Sequence, residues 1–395
     1  MIDSFGSDGA QIDLGNNSKK SARGGMKYIS SQRPKTIWAI ESLFSEKVNR
    51  MLPTAPRRAN IKDVAREAGV SPTTVSHALN ARGQVDAETR ARVEKAAVKL
   101  GYRPNRHAQR LRTGEAHMIV LLSSMPFAVA GGPSRLGFMM EIAAVAAAAA
   151  LDRSLALVLA PPMENGKVPL ELLEVDGALV IEPSAGDANL EYLKRRGLPV
   201  VTIGRPYGVR EAVPHVEMHS KETTRLLLDH FHEQGARKVA MILGSAQRNS
   251  YVEARAAYEE FAAGHGQPPI LVTAEEAQGE SGGEETASAL LAAHPDIDAF
   301  CVPVDAFAVG AVRAIRASGR RIPEDVMVAT RYDGVRARSC DPPLTAVDLH
   351  LEEVAHQAID LLFDHLRGDT SRGSASGPMA QLVPRRSSVR GGSIA

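Results

Sequence analysis

Hydrophobic positions follow two different rhythms along this chain. From His117 onward they come as short continuous runs: MIVLL (118–122), LALVLA (155–160), GALVI (177–181), PVVTI (199–203), KVAMIL (238–243), DAFCVP (298–303) and VMVAT (326–330). Runs this short and apolar on both faces belong to strands of a parallel sheet covered on each side. Between most of them lie amphipathic stretches at 136–151, 220–234, 252–263, 284–293 and 305–318, which the pattern predicts as helices. Strands alternating with helices give an α/β, doubly wound body. It carries neither G-x-G-x-x-G nor a Walker sequence, and Gly279, Gly282 and Gly283 read as a loop before a helix, so no dinucleotide or triphosphate site is signalled.

Ahead of that body the rhythm is purely helical. NIKDVAREAG offers Asn60 as an N-cap, Asp63 as its capping-box partner, Ile61, Val64, Ala65 and Ala68 along one face, and Gly69 as a stop. After Gly69 and Val70, Ser71 can cap a second helix with Pro72 in its first position, where a missing N–H is no loss, and Val75 and Leu79 face the first helix. Asp86 caps a third, whose Val93, Ala97 and Leu100 complete a small core before Gly101. Three short helices with a tight turn between the first two make a helix-turn-helix.

Charge changes the picture. The 395 residues carry a net charge of only +1, but residues 57–112 hold 13 Lys and Arg against 5 Asp and Glu, a net of +8. Residues 1–56 are at +3 and the remainder at −10. A small basic module is joined to a large acidic body, and the module alone is suited to neutralising phosphates. Its second helix, SPTTVSHALN (71–80), has no acid and no base except His77. A helix lying in the major groove has this need: acids there are repelled, and long bases bind phosphate indiscriminately. Pro72, Thr73 and His77 are placed to meet base edges, and Ser71, Thr74 and Asn80 to meet phosphates.

The stretch from Asn60 to Gly114, NIKDVAREAGVSPTTVSHALN…ETRARVEKAAVKLGYRPNRHAQRLRTG, resembles the DNA-binding and hinge region of the lactose and galactose repressor family, nearly without gaps. It is closer to the purine repressor than to the lactose repressor, having His77 where the latter has arginine. The resemblance implies that residues 105–114 form a hinge helix on the operator, with Asn105 and Ala108 at the DNA and Leu111 as the wedge that kinks the minor groove. An apolar wedge of this kind unstacks a base step in exchange for bent DNA that wraps more protein; the alternative role of Leu111 is a linker residue packed on the body.

Similarity extends to the body through VDGALVI (175–181), GLPVVTIGRP (197–206), residues 298–330, PPLTAVDL (342–349) and LVPRRSSVRGG (382–392), the last matching a strand of the second subdomain. It implies a type I periplasmic-binding-protein-like body of two subdomains joined by three crossovers, with a small molecule between them. By position, Ser124, Arg205 and Asp305 then line the cleft at strand ends, where ligands of open sheets sit. Asp305 can accept paired hydroxyls or a ring N–H, or can cap the helix beginning at 306. Arg248, Asn249, Tyr251 and Arg255 fall where the family offers an arginine to its effector, although the spacing does not match cleanly. VEMH (216–219), Arg331 in ATRYDG and a short 161–174 segment depart from the family pattern, and the additional arginine raises an anionic effector.

These readings divide the chain into a flexible extension (1–58), a helix-turn-helix domain (59–104), a hinge (105–114) and an effector-binding and dimerisation body (117–392). They point to a transcriptional repressor: a cytoplasmic homodimer on palindromic double-stranded operator DNA, with a sugar, sugar acid or related metabolite as effector. No signal peptide or membrane span is read, Cys301 and Cys340 have no partners at metal spacing, and no cofactor, metal cluster or nucleophile elbow of an enzyme is found. The body alone would fit the solute-binding subunit of a sugar transporter, which would leave the helix-turn-helix unexplained.

Overall fold

The computed structural model describes residues 59–80, 83–103, 114–130, 137–162 and 168–390. It divides into two compact units, Met1–Asn105 and Arg106–Ala395. The extension before Ala59 and the hinge positions Asn105, Ala108 and Leu111 lie outside the described residues.

In the first unit the capping logic holds residue by residue. Helix α1 (Ile61–Ala68) starts with the Asn60–Asp63 capping box, and Gly69, at φ 66°, ends it in the left-handed region that favours glycine. Helix α2 (Pro72–Leu79) is capped by the Ser71 hydroxyl, and α3 (Ala87–Lys99) by Asp86. Val64, Val75 and Val93, one from each helix, are fully buried and form the centre of the core.

The second unit holds two parallel sheets. The first runs β11-β5-β4-β3-β1-β2, with β1 (Met118–Ser123), β2 (Ala156–Ala160), β3 (Gly177–Ile181), β4 (Val200–Ile203), β5 (His215–Glu217) and β11 (Ser374–Ser376). The second runs β7-β6-β8-β9, with β6 (Val239–Gly244), β7 (Ile270–Ala274), β8 (Ala299–Cys301) and β9 (Met327–Ala329). A short antiparallel pair joins β10 (Ala346–Asp348) to β12 (Gln381–Val383). All seven strands expected from apolar runs are present, and β12 falls at the start of the strand expected over 382–392; β5, β7, β10 and β11 are additional.

Chain connectivity makes two subdomains. The chain passes from the first to the second between β5 and helix α7 (Ser220–Glu233), returns after β10 to α12 (Leu351–Leu366) and β11, and crosses again to β12. His219 and His350, at the first two crossings, are non-glycine residues in the left-handed region (φ 48° and 50°). His219 is fixed there by Nε2 contacts of 3.0 Å to Ser376 Oγ and to the Gly377 carbonyl at the third crossing. The remaining helices are α4 (Phe127–Ala130), α5 (Phe138–Asp152), α6 (Ala188–Arg195), α8 (Asn249–Gly264), α9 (Glu280–Ala293), α10 (Asp305–Ala317) and α11 (Val335–Ser339). Among the described residues no helix is long and apolar enough to cross a membrane.

Three sequence expectations need correction. Gly282 and Gly283 lie inside α9, not in a loop before it. A Cβ on Gly283 would stand 2.4 Å from the Phe307 backbone, and one on Gly310 only 2.1 Å from the Glu280 carbonyl, so these glycines exist to let α9 and α10 touch backbone to backbone. Among the described residues of the 382–392 segment, strand is confined to Gln381–Val383; beyond it Ser387 hydrogen-bonds the Val328 backbone through both its carbonyl and its hydroxyl. Asp305 is the first residue of α10 and Val304 occupies the cap. Because the α9–α10 contact is between backbones, Gly310→Ala should destabilise the second unit by about 1–3 kcal/mol through overpacking, measured by denaturant unfolding. An unchanged midpoint would show that the helices can part without cost.

Candidate functional sites

The exposed face of the first unit follows from how α2 is capped. Ser71 accepts the Thr74 N–H at 3.0 Å, and the two hydroxyls lie 2.9 Å apart, so both are committed to the cap. Asn80 closes the other end by donating Nδ2 to the Ser76 carbonyl at 2.7 Å. Pro72, Thr73 and His77 remain exposed, and α2 has no acid in its first turn. The result is a short neutral ridge on a basic module.

In the second unit the strand ends enclose a cavity of about 60 Å³ whose wall includes Met125, Phe138, Glu182, Ser250, Tyr251, Val304, Asp305, Arg331, Tyr332 and Leu349. Behind Glu182 and Tyr251 lies Arg248, which is 1% exposed. The guanidinium holds Glu276 through Nε at 3.1 Å and Nη2 at 2.8 Å, and donates to the carbonyls of Ser124, at 3.1 Å, and Glu182. Burial opposes its charge, but Glu276 more than offsets this and raises the guanidinium pKa above its ordinary value. Tyr251 donates to Glu276 at 2.7 Å, and burial, with Glu276 beside it, pushes the phenol well above its ordinary range. Gly244 makes this approach possible, since a Cβ there would lie 2.6 Å from the Tyr251 ring.

Glu182 stands at the end of β3 with φ 47°, a strained conformation for a non-glycine residue that clusters at functional sites. It accepts Ser250 Oγ at 2.7 Å and Arg331 Nη1 at 3.2 Å. Across the cavity Asp305 is paired with Arg336 at 3.1 Å, while Arg336 also donates to the carbonyls of Ala128 and Val129 in α4. Burial pushes the Asp305 carboxyl above its ordinary value, against the pull of Arg336.

Of the seven residues expected at the effector, Tyr251 and Asp305 line the cavity, and Arg248, which borders a separate depression with Arg255, holds the Glu182 carbonyl and Glu276 behind it. Ser124 contributes its carbonyl to Arg248, while its hydroxyl is buried without a partner among the described residues. Asn249 bonds to Glu253 at 2.7 Å. Arg255 lies beside a separate depression of about 260 Å³, and Arg205 is a half-exposed partner of Glu217 at 2.7 Å. Glu182, Ser250, Tyr332 and Arg336 were not singled out from sequence. Glu182 was within reach of the strand-end rule, as the residue following GALVI, but Arg336 acts through distant partners that leave no local signal.

Comparisons with known proteins agree with both halves. Residues 60–105 match the model of bacterial regulatory proteins of the lacI family, and residues 228–388 that of a periplasmic binding protein-like domain. The transcriptional regulator CelR of Thermobifida fusca is 32% identical over 324 residues, covering 80% of this chain and 94% of that protein. The repressor PurR of Erwinia tasmaniensis is 29% identical over 347 residues, covering 84% and 98%. Among solved structures, a CelR–cellobiose complex aligns with a TM-score of 0.61 at 28% identity, over 84% of this chain and 100% of that one. The lac repressor dimer bound to operator and the anti-inducer ONPF aligns at 0.69 and 22% identity, with the same coverage, a likeness of fold. The chain belongs to the LacI family of bacterial regulatory proteins and is a helix-turn-helix transcriptional regulator.

Proposed function

We propose that this regulator is a cytoplasmic homodimeric repressor of a palindromic operator, and that a small molecule in the Asp305–Arg331 cavity sets its DNA affinity. The observation that carries the reading is the coexistence in one chain of an exposed, acid-free helix ridge and a cavity at the strand ends. A twofold protein reads a twofold site, which is why a dimer is inferred. Pro72, Thr73 and His77 meet base edges, and the committed caps Ser71, Thr74 and Asn80 set the pitch of α2 beside the phosphates.

Ligand pockets usually enclose about 300–1,000 Å³. At about 60 Å³ this cavity admits a sugar-sized molecule only if the subdomains part. Occupancy is thereby tied to subdomain orientation, and the ligand shifts DNA affinity by its differential affinity for the two orientations, typically 1–3 kcal/mol. CelR has been solved with cellobiose, which makes sugars the first effectors to screen.

Replacing His77 by Ala should relax sequence preference at one base pair per half-site by roughly 1–3 kcal/mol. Binding to a panel of operator variants checks this; a uniform loss across all variants would assign His77 to phosphate instead. The Leu111→Ala change should lessen operator bending in permuted-fragment gel assays and spare effector binding, whereas unchanged bending would make Leu111 a linker residue. Asp305→Asn keeps the side chain's size but takes the charge partner from Arg336, and should remove the effect of a stabilising sugar on operator affinity. A full response in this variant would exclude Asp305 from the switch.

A further inference from the structure

Three arginines of the second subdomain reach the cleft, and two are fully used. Arg248 spends its guanidinium on Glu276 and two carbonyls, and Arg336 on Asp305 and two others. Arg331 differs. Its side chain is 12% exposed and meets Glu182 through Nη1 alone, while Nε and Nη2 are buried with no hydrogen-bond partner among the described residues. In a guanidinium, Nε–H and the neighbouring Nη2–H point outward from the same edge of the plane. That edge takes a carboxylate by two parallel bonds.

Neither nearby carboxylate is placed to fill it. Glu182 is divided between Ser250 Oγ and Arg331 Nη1, and Asp305 between Arg336 and the Ala306 N–H at 2.7 Å. Buried donors of a charged group left unpaired are costly, so the edge is complementary to acceptors that arrive with a ligand. A carboxylate is acceptor-only, as the edge is donor-only, whereas sugar hydroxyls bring donors that this edge cannot meet. The same cavity is lined by the apolar side chains of Met125, Phe138, Val304 and Leu349.

We propose that the effector carries a carboxylate, held side-on by Nε and Nη2 of Arg331, with the rest of the molecule against those apolar side chains. Arg331 then bridges the ligand and Glu182, joining the bound anion to the end of β3. The assignment rests on the reading of this cavity as the effector site and narrows the ligand to an organic acid.

The test is calorimetric titration of the full-length protein with three matched pairs: glucuronate and glucose, benzoate and benzamide, isovalerate and isovaleramide. Operator affinity is measured in parallel with every compound that binds. At least one acid should bind tenfold or more tightly than its neutral partner. That advantage should disappear in Arg331→Gln and survive in part in Arg331→Lys, which keeps the charge without the planar edge. Equal affinity for acid and neutral partner, an advantage undiminished in Arg331→Gln, or failure of all three acids to bind would overturn the assignment. The comparison within the wild-type protein decides the matter even where a variant does not fold. If a neutral compound binds as well as its acid and moves operator affinity, the effector site stands and the carboxylate falls. If an acid binds through Arg331 and operator affinity does not move, the carboxylate stands and the regulatory reading falls.

Discussion

The second unit depends on one buried charge. Arg248 is held by Glu276 in its own subdomain and satisfies the carbonyls of Ser124 and Glu182 at the ends of β1 and β3 in the other. An unpaired ion at this depth is strongly unfavourable, so each of these contacts constrains the rest. With Arg248 in place, Glu276 is positioned to accept from Tyr251, and Ser250 on the same helix turn is positioned to reach Glu182. The cavity wall is thus a consequence of satisfying one guanidinium. The specificity proposed for it rests on the groups that Arg248 leaves available, above all Arg331.

Three of the five non-glycine residues with positive φ among the described residues fall at the cavity and the crossings. Glu182 at the cavity and His219 and His350 at the crossings all occupy left-handed conformations that cost a non-glycine residue about 1–3 kcal/mol. Such conformations persist only where neighbours determine them: Glu182 is held by Ser250 and Arg331, and His219 by the third crossing. The crossings are where the proposed subdomain reorientation would be absorbed, and the cavity is where the proposed ligand would act. Strain at both places joins binding and movement within one set of contacts.

Much of this was legible in the sequence because its causes are local. Caps at Asn60, Ser71 and Asp86, the glycine stop at Gly69 and the seven apolar runs each act within a few residues, and each appears where the pattern puts it. The charge asymmetry and the absence of acids from α2 are likewise features of composition and position, and the DNA face proposed for α2 rests on them. What could not be read depends on distant partners. Gly283 and Gly310 serve a helix contact visible only in three dimensions, and the three-residue strands are held by neighbours, not by propensity. Asp305 looked like an open ligand group because Arg336, which occupies it, lies 31 residues away. Arg331 was noticed as an oddity of its strand end, but its open edge follows from Glu182 meeting only one of its nitrogens.

The three arginines also explain why an effector at this site can act as a switch. Arg248, Arg331 and Arg336 all come from the second subdomain and all end on groups of the first: carbonyls for Arg248 and Arg336, a carboxylate for Arg331. The carbonyl contacts involve fully committed guanidinium groups and are costly to break singly. The Arg331–Glu182 contact is a single hydrogen bond at 3.2 Å, the longest of the set, and it borders the cavity. A ligand that engages the open edge of Arg331 therefore acts on the one span whose guanidinium still has donors to give, while Arg248 and Arg336 hold the remainder. Since a ligand can bias two arrangements only by binding them unequally, the useful place for it is where one contact can change without loss of the others. Among the described residues Arg331 meets that condition, and β3, which carries Glu182, pairs directly with β1, the strand that follows the hinge segment in the chain.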